Sequence, residues 1–378
     1  MQPCQENNRS FFGKLQEAEG LDLRDARGKR HDLAVILMGV LLAILCNRDG
    51  NMSSIHRHMK KHYKRLMFAL NLEVKSVVSR AQLPRVLEKV SVSVVDNLIF
   101  ENYGTRLNAE QKQWFSTDGK DLKGSIETGA KRGEAIVQAV RHEGLEIQCQ
   151  TYYSGRKESE VTAVRELLKS SGLCKEKVSL DALHCKPKTL GLIEESGGIY
   201  LVGLKNNQKE LLNQVKDSIG SLPLIYQSES VEKGHGRIET RNYQVIDIQR
   251  MENHERWESC DIKSLVKVSR DVLEIKSEKR SIETSYYISN QSEDVASLCA
   301  AVRGHWSVET NNHIRDVTLK EDKLRSKNKN VNRVLAGLRS LVLQILKKTK
   351  CLNKRDQIEE FADDFDLLLN TIKTFNFL

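Results

Sequence analysis

Three acidic residues, far apart in the chain, stand where a fold could bring them together. Asp118 closes the β-type run WFSTD (114–118) and opens the glycine-bearing segment DGKDLKGS. Asp181 closes KVSLD (177–181) and opens DALHCK, and Glu309 lies within RGHWSVETNNHIRDVTLKEDK (303–323). In that last stretch His305, Glu309, Asn312, His313 and Asp316 recur at spacings of four, three, one and three, which keeps them on one face of a helix. Carboxylates converging on one point repel one another unless cations sit between them. Hard divalent ions such as Mg2+ take carboxylate oxygens and keep several waters. Two such ions about 4 Å apart stabilise both the attacking and the leaving oxygen at a phosphodiester. The plainer reading is that strand-end aspartates form turns and that a charged helix face is solvated.

The elements needed to gather these acids can be read from pattern. Residues 1–110 read as a helical N-terminal domain. Its apolar run LAVILMGVLLAILC (33–46) has fourteen residues, short of the about 20 a membrane span needs, so a buried helix is expected. SSIHRHMKKHYKRLMFAL (53–70) reads as a basic helix facing DNA, with His56, His58 and His62 on its basic surface, and Pro84 suits the first turn of PRVLEKV. From about 112 the pattern becomes strands at 114–118, 134–140 and 145–153, then a helix over 157–171, a strand at 177–181, a helix over 186–195, the strand 199–205 and a helix from Asn206. This order implies an α/β mixed sheet with helices on its faces. The first and fourth strands can adjoin at its centre, so a helix crossing that edge would bring Glu309 to Asp118 and Asp181. Between about 220 and 296 the runs RIETRNYQVIDI, SLVKVSRDVLEI and ETSYYIS suggest a β-rich insertion. A helix resumes near Ser297, with Val302, Trp306 and Val317 as its core face and Trp114 also in the core.

Composition sets the outer limits. Of 378 residues 39% are hydrophobic and 29% charged, as in a globular protein. No secretory signal is recognisable, which points to the cytoplasm, and eight cysteines without a CxxC pair point to reduced thiols. The net charge of +9 concentrates in residues 320–355, where twelve lysines and arginines face only Glu321 and Asp322. Such a segment is the footprint of a polyphosphate partner, or else a solvated helix face.

DGKDLKGS at 118, DALHCK at 181, GLKNNQ at 203, HGRIETR at 235 and RGHWSVETNNHIRDVTLKED at 303 resemble, in that order, the blocks of the ISAs-type insertion-sequence transposases, the DDE group that includes H-repeat-associated proteins. The resemblance spans nearly the whole chain. It implies a ribonuclease-H-like mixed sheet flanked by helices, with a catalytic domain over 111–378, a β-rich insertion and basic C-terminal helices. It implies Asp118, Asp181 and Glu309 as the catalytic and metal-binding triad, with two Mg2+ ions per site and Mn2+ able to substitute. The implied partners are double-stranded DNA, as transposon ends and target, and a second copy of the chain on that DNA; no membrane is implied. The protein would be nucleoid-associated, cutting transposon ends by hydrolysis and joining the freed 3′-hydroxyls to target DNA. Lys120, Lys123, Lys205, Gln208, His235, Arg237, His305, His313 and Arg325 are the expected DNA contacts. The chain departs from the group at Thr310, where Asn is usual, at Ile314 for Trp, at Lys123 for Arg and at Asn206 for Gly. A catalytically silent DNA-binding descendant, or a nuclease that does not transpose, are the alternatives on the same fold.

Overall fold

The computed structural model describes residues 9–104, 107, 111–154, 157–251, 255–349 and 351–378, with backbone alone for 102, 103, 157 and 158. The first layer is helical: α1 (Phe11–Glu17), α2 (Leu33–Leu45), α3 (Met52–Ala69), α4 (Gln82–Glu88) and α5 (Val92–Tyr103). Asp32 caps α2 by accepting from the Ala34 and Val35 N–H groups, and every residue of that helix is buried, as its all-round apolar surface requires. On α3, Arg57, Lys60, Lys61, Lys64 and Arg65 face outwards. The histidines do not share that surface. His62 stacks on Phe365 at 3.9 Å, His58 lies 4.7 Å from His62, and His56 meets the Val78 carbonyl at 3.0 Å. Burial pushes His58 down to about 3 and His62 to about 4, so both rings are neutral packing groups.

A single nine-stranded sheet follows, in the order β3-β2-β1-β4-β5-β9-β8-β7-β6. Its first half contains β1 (Trp114–Asp121), β2 (Glu134–Arg141), β3 (Ile147–Ser154), α6 (Lys157–Ser171), β4 (Lys177–Leu180), α7 (Pro187–Glu195), β5 (Ile199–Leu204) and α8 (Lys209–Ser218). Strands β1, β2 and β3 form an antiparallel meander, while β4 and β5 run parallel to β1. This is the ribonuclease-H-like order. The insertion supplies β6 (Leu224–Gly234), β7 (Arg237–Asp247), β8 (Ser264–Glu274) and β9 (Arg280–Ser289). It extends the same sheet, because β9 pairs antiparallel with β5 from Leu201↔Ser289 to Leu204↔Tyr286. Strand β6, absent from the sequence reading, is the outer edge and is exposed along most of its length, so it lacks the apolar alternation of a half-buried strand.

The segment 303–323 is not one helix. It comprises the end of α9 (Val295–Gly304), α10 (Trp306–His313) and a π-helical turn over Ile314–Thr318. The break and the wide turn rotate side chains out of phase with a continuous helix, so Trp306 is 40% and Val317 57% exposed rather than in the core. Trp114 is only partly buried and stacks on His142.

Helices α11 (Lys329–Lys348), α12 (Lys354–Asp363) and α13 (Phe365–Thr374) close the chain. Leu335, Leu338, Val342, Phe361 and Leu368 pack into one apolar core with Leu37, Leu41, Ile44, Leu83 and Ile99. Phe11 and Phe12 donate their N–H groups to the Asn376 and Phe377 carbonyls, each at 3.0 Å. The N-terminal helices therefore do not form a core of their own that ends at residue 110. The basic segment is also partly internal, for Arg339 is buried against Asp49 and Arg333 pairs with Glu134. Its outward cations include Lys320, Lys323, Arg325, Lys327 and Lys329.

Candidate active site

Strand pairing sets the first two acids side by side. The parallel β1–β4 register ends at Thr117↔Leu180, so Asp118 and Asp181 are the next residues on adjacent strands. Asp118 lies within β1 rather than at its end, because antiparallel β2 carries β1 on to Asp121↔Ala135 after β4 has stopped. Helix α10 packs on β1 and β2. Ser307 Oγ meets Ser116 Oγ at 2.6 Å, Asn311 donates to the Leu145 carbonyl at 3.3 Å, and Asn312 Nδ2 donates to Asp118 Oδ2 at 3.4 Å. Glu309 is thereby held on the side of α10 that meets the two aspartates.

The three charges act on one another. Burial, then the neighbouring Glu160, Asp181 and Glu309 carboxylates, push Asp118 up to about 7. Burial and Asp181 raise Glu309. Burial also works against the Asp181 carboxylate, but the Ala182 N–H and the Lys205 ammonium outweigh it and leave its pKa below the ordinary value. Lys205 Nζ stands 3.5 Å from Asp181 Oδ1. Hard oxygen donors that the protein leaves in mutual repulsion suit divalent cations in kind. Among the described residues, however, no three His, Cys, Asp or Glu side chains are gathered closely enough to hold one ion together.

Glu160 is a fourth acid that the sequence did not mark. It accepts from Tyr153 Oη at 2.9 Å and lies 3.6 Å from His184 Nε2. Gly119 gives it room, since a Cβ there would stand 2.7 Å from Glu160 Cδ. The glycine after Asp118 was legible, but not the carboxylate it admits. Beside Asp181 and Glu309 opens a cavity of about 810 Å3, lined also by Lys205, Arg241, His305 and Trp306. Asp118 is not part of that wall.

The expected DNA contacts fall into distinct groups. Lys120 is buried among Asp316 at 2.7 Å, Glu321 at 3.4 Å and Asp322 at 3.6 Å, so it is an internal counter-charge rather than a DNA contact. Gln208 is buried and donates to the Cys185 carbonyl at 2.8 Å, which also removes it from the surface. Lys123, Lys205, His313 and Arg325 are exposed. His235 and Gly236, both at positive φ, form the two-residue turn between β6 and β7. Next to that turn Arg237 pairs with Glu239, and Glu239 also holds Arg241 and Arg270, making an ion-pair ladder. His305 turns inwards, with Nδ1 3.0 Å from Ser179 Oγ.

The sheet order and the acids where β1 and β4 part define a ribonuclease-H-like protein. The chain belongs to the transposase DDE domain family, whose model matches residues 91–345. "Putative transposase YncI" of Escherichia coli O157:H7 is 25% identical, covering 87% of this chain and 85% of that protein. "H repeat-associated putative transposase YhhI" of Escherichia coli K12 is 24% identical, covering 87% and 88%. Among solved structures, a piggyBac transposase synaptic complex with hairpin DNA gives a TM-score of 0.48 at 13% identity, covering 97% of this chain and 80% of that one. No described helix is long and apolar enough to cross a membrane.

Proposed function

We propose that this transposase cuts the ends of a bacterial insertion sequence by metal-dependent phosphodiester hydrolysis and joins the freed 3′-hydroxyls to target DNA. The observation that carries this reading is the adjacency of Asp118 and Asp181 at the end of the β1–β4 register, with Glu309 on the helix that packs over β1. These three carboxylates would hold two divalent ions, Mg2+ in the cell with Mn2+ as a substitute. Bound there, the ions would supply charge stabilisation to the attacking and leaving oxygens. Asn312 orients Asp118, and Lys205 balances Asp181. Lys123, Arg325 and their exposed basic neighbours bind DNA phosphates, which positions the duplex without reading its sequence. Coordinated cutting of two ends requires at least two copies of the chain, working in the cytoplasm at the nucleoid.

The test is incubation of the full chain with Mg2+ and a supercoiled plasmid carrying its gene and native flanks, beside Asp118→Ala. Breaks at both flanks in the wild type alone support the reading. If both proteins bind the flanks and neither cuts, a DNA-binding role without catalysis replaces it. Cutting away from the flanks with no strand-transfer product indicates a nuclease instead.

A further inference from the structure

We propose that His142, Ser179 and His305 form a positioning chain that holds Glu309 in register with Asp181. The proposal rests on the reading of the three carboxylates as the metal site. His142 Nε2 lies 2.9 Å from Ser179 Oγ, which in turn lies 3.0 Å from His305 Nδ1. Ser179 precedes Asp181 by two residues on β4, and His305 precedes Glu309 by four residues at the joint between α9 and α10. Ser307 and Asn312 tie α10 to β1, while His305 ties its first turn to β4, the strand that leads into Asp181.

The Ser179 hydroxyl has one proton and two lone pairs, so it can accept from both rings while donating to the Phe115 carbonyl, 3.5 Å away, or donate to one ring and accept from the other. Burial keeps both rings neutral, pushing His142 down to about 3 and His305 to about 4. Each neutral ring then has one donor and one acceptor nitrogen.

The far end of the chain is fixed in turn. The backbone N–H of His142 donates to the Trp114 carbonyl at 3.0 Å, and the two rings stack at 5.8 Å. Gly304 is part of the arrangement, for a Cβ there would stand 2.1 Å from His142 Nδ1. His305 also lines the cavity shared by Asp181 and Glu309, so a shift of the joint moves one wall of the site.

The experiment measures Mn2+ binding to the full chain without DNA, by calorimetry, together with cleavage of plasmid flanks. Ser179→Ala removes the bridge, Ser179→Thr keeps a hydroxyl, and Gly304→Ala displaces His142 independently. Loss of such a supporting partner typically weakens metal binding about 10-fold or more. That loss is expected in Ser179→Ala and Gly304→Ala at a melting temperature near that of the wild type, with recovery in Ser179→Thr. In Glu309→Gln, adding Ser179→Ala should cost no further Mn2+ affinity, because the group being positioned is already gone. Wild-type Mn2+ affinity in Ser179→Ala and Gly304→Ala, or equal losses in Ser179→Ala and Ser179→Thr, overturns the positioning chain and leaves the carboxylate reading intact. A wild-type chain that binds no Mn2+ overturns both.

Discussion

Asp118 and Asp181 are neighbours across one pair of strands, yet the protein treats their charges in opposite ways. Asp181 has the Ala182 N–H and Lys205 to favour ionisation, while Asp118 is half-buried and faces Glu160 as well as Asp181 and Glu309. A carboxyl raised to about 7 in the folded state holds its proton where the unfolded chain has lost it. Its contribution to stability is therefore complete at acid pH, below the unfolded value, and disappears as pH rises through about 7. In EDTA, the melting temperature of the wild type should fall more steeply than that of Asp118→Asn across this window. Buried Asp96, also raised to about 7, titrates in both proteins and cancels in the comparison. Mn2+ affinity should rise with pH up to about 7, because the ion competes with that proton. Parallel slopes in the two proteins would remove Asp118 from this role. The adjacency of Asp118 and Asp181 was legible because both close strand-like runs in the sequence. Glu160 was not, since a glutamate within a polar helix carries no mark of what it will face. Lys120 misled because the carboxylates that bury it come from 316–322, out of reach of any local pattern.

At the scale of elements, strand order could be read and helix phase could not. Alternating runs and their succession yielded the mixed sheet with β1 beside β4, but periodicity treated 303–323 as one helix. A π-helical turn widens the helix locally, so the 3.6-residue phase fails where it is most needed. The turn carries Arg315, which is fully buried and bonds both oxygens of Glu321, at 2.9 and 2.6 Å, as well as Ser340 and the Ala336 carbonyl. Arg339 and Lys120 also flank Glu321. Removing one partner of a buried ion pair typically costs about 3–5 kcal/mol, and the remaining cations place Arg315→Met towards the lower end. Urea denaturation followed by circular dichroism would measure it; a loss below about 1 kcal/mol would mean the network behaves like an exposed pair. The loop before α11 supports a separate prediction. Replacing Arg325 and Lys327 with alanine should weaken binding to all duplexes alike and reduce the salt slope by about 2, with stability unchanged. An unaltered slope in a salt titration would clear this loop of phosphate contact.

For the whole molecule, the decisive feature is the core shared by helices from opposite ends of the sequence. The all-apolar α2 was readable as buried, but α11 lies in the segment read as a basic footprint, and nothing in either pattern says that the two bury each other. A fragment starting at residue 111 should leave Leu335, Leu338 and Val342 bare, because their partners on the N-terminal helices are gone. It should aggregate or bind a hydrophobic dye, as exposed apolar patches do. Cooperative unfolding of that fragment, with wild-type Mn2+ affinity, would establish a catalytic unit independent of the N-terminal helices.

The pairing of the Asn376 amide with the Arg9 carbonyl, 367 positions apart, bears on how the chain is made. During synthesis the N-terminal segments leave the ribosome first, yet α1 waits for Asn376 and Phe377 before its backbone is satisfied. These contacts therefore form only once residues 376 and 377 have been made. A message broken ahead of α12 yields a chain with that core open, the kind of product that proteases clear.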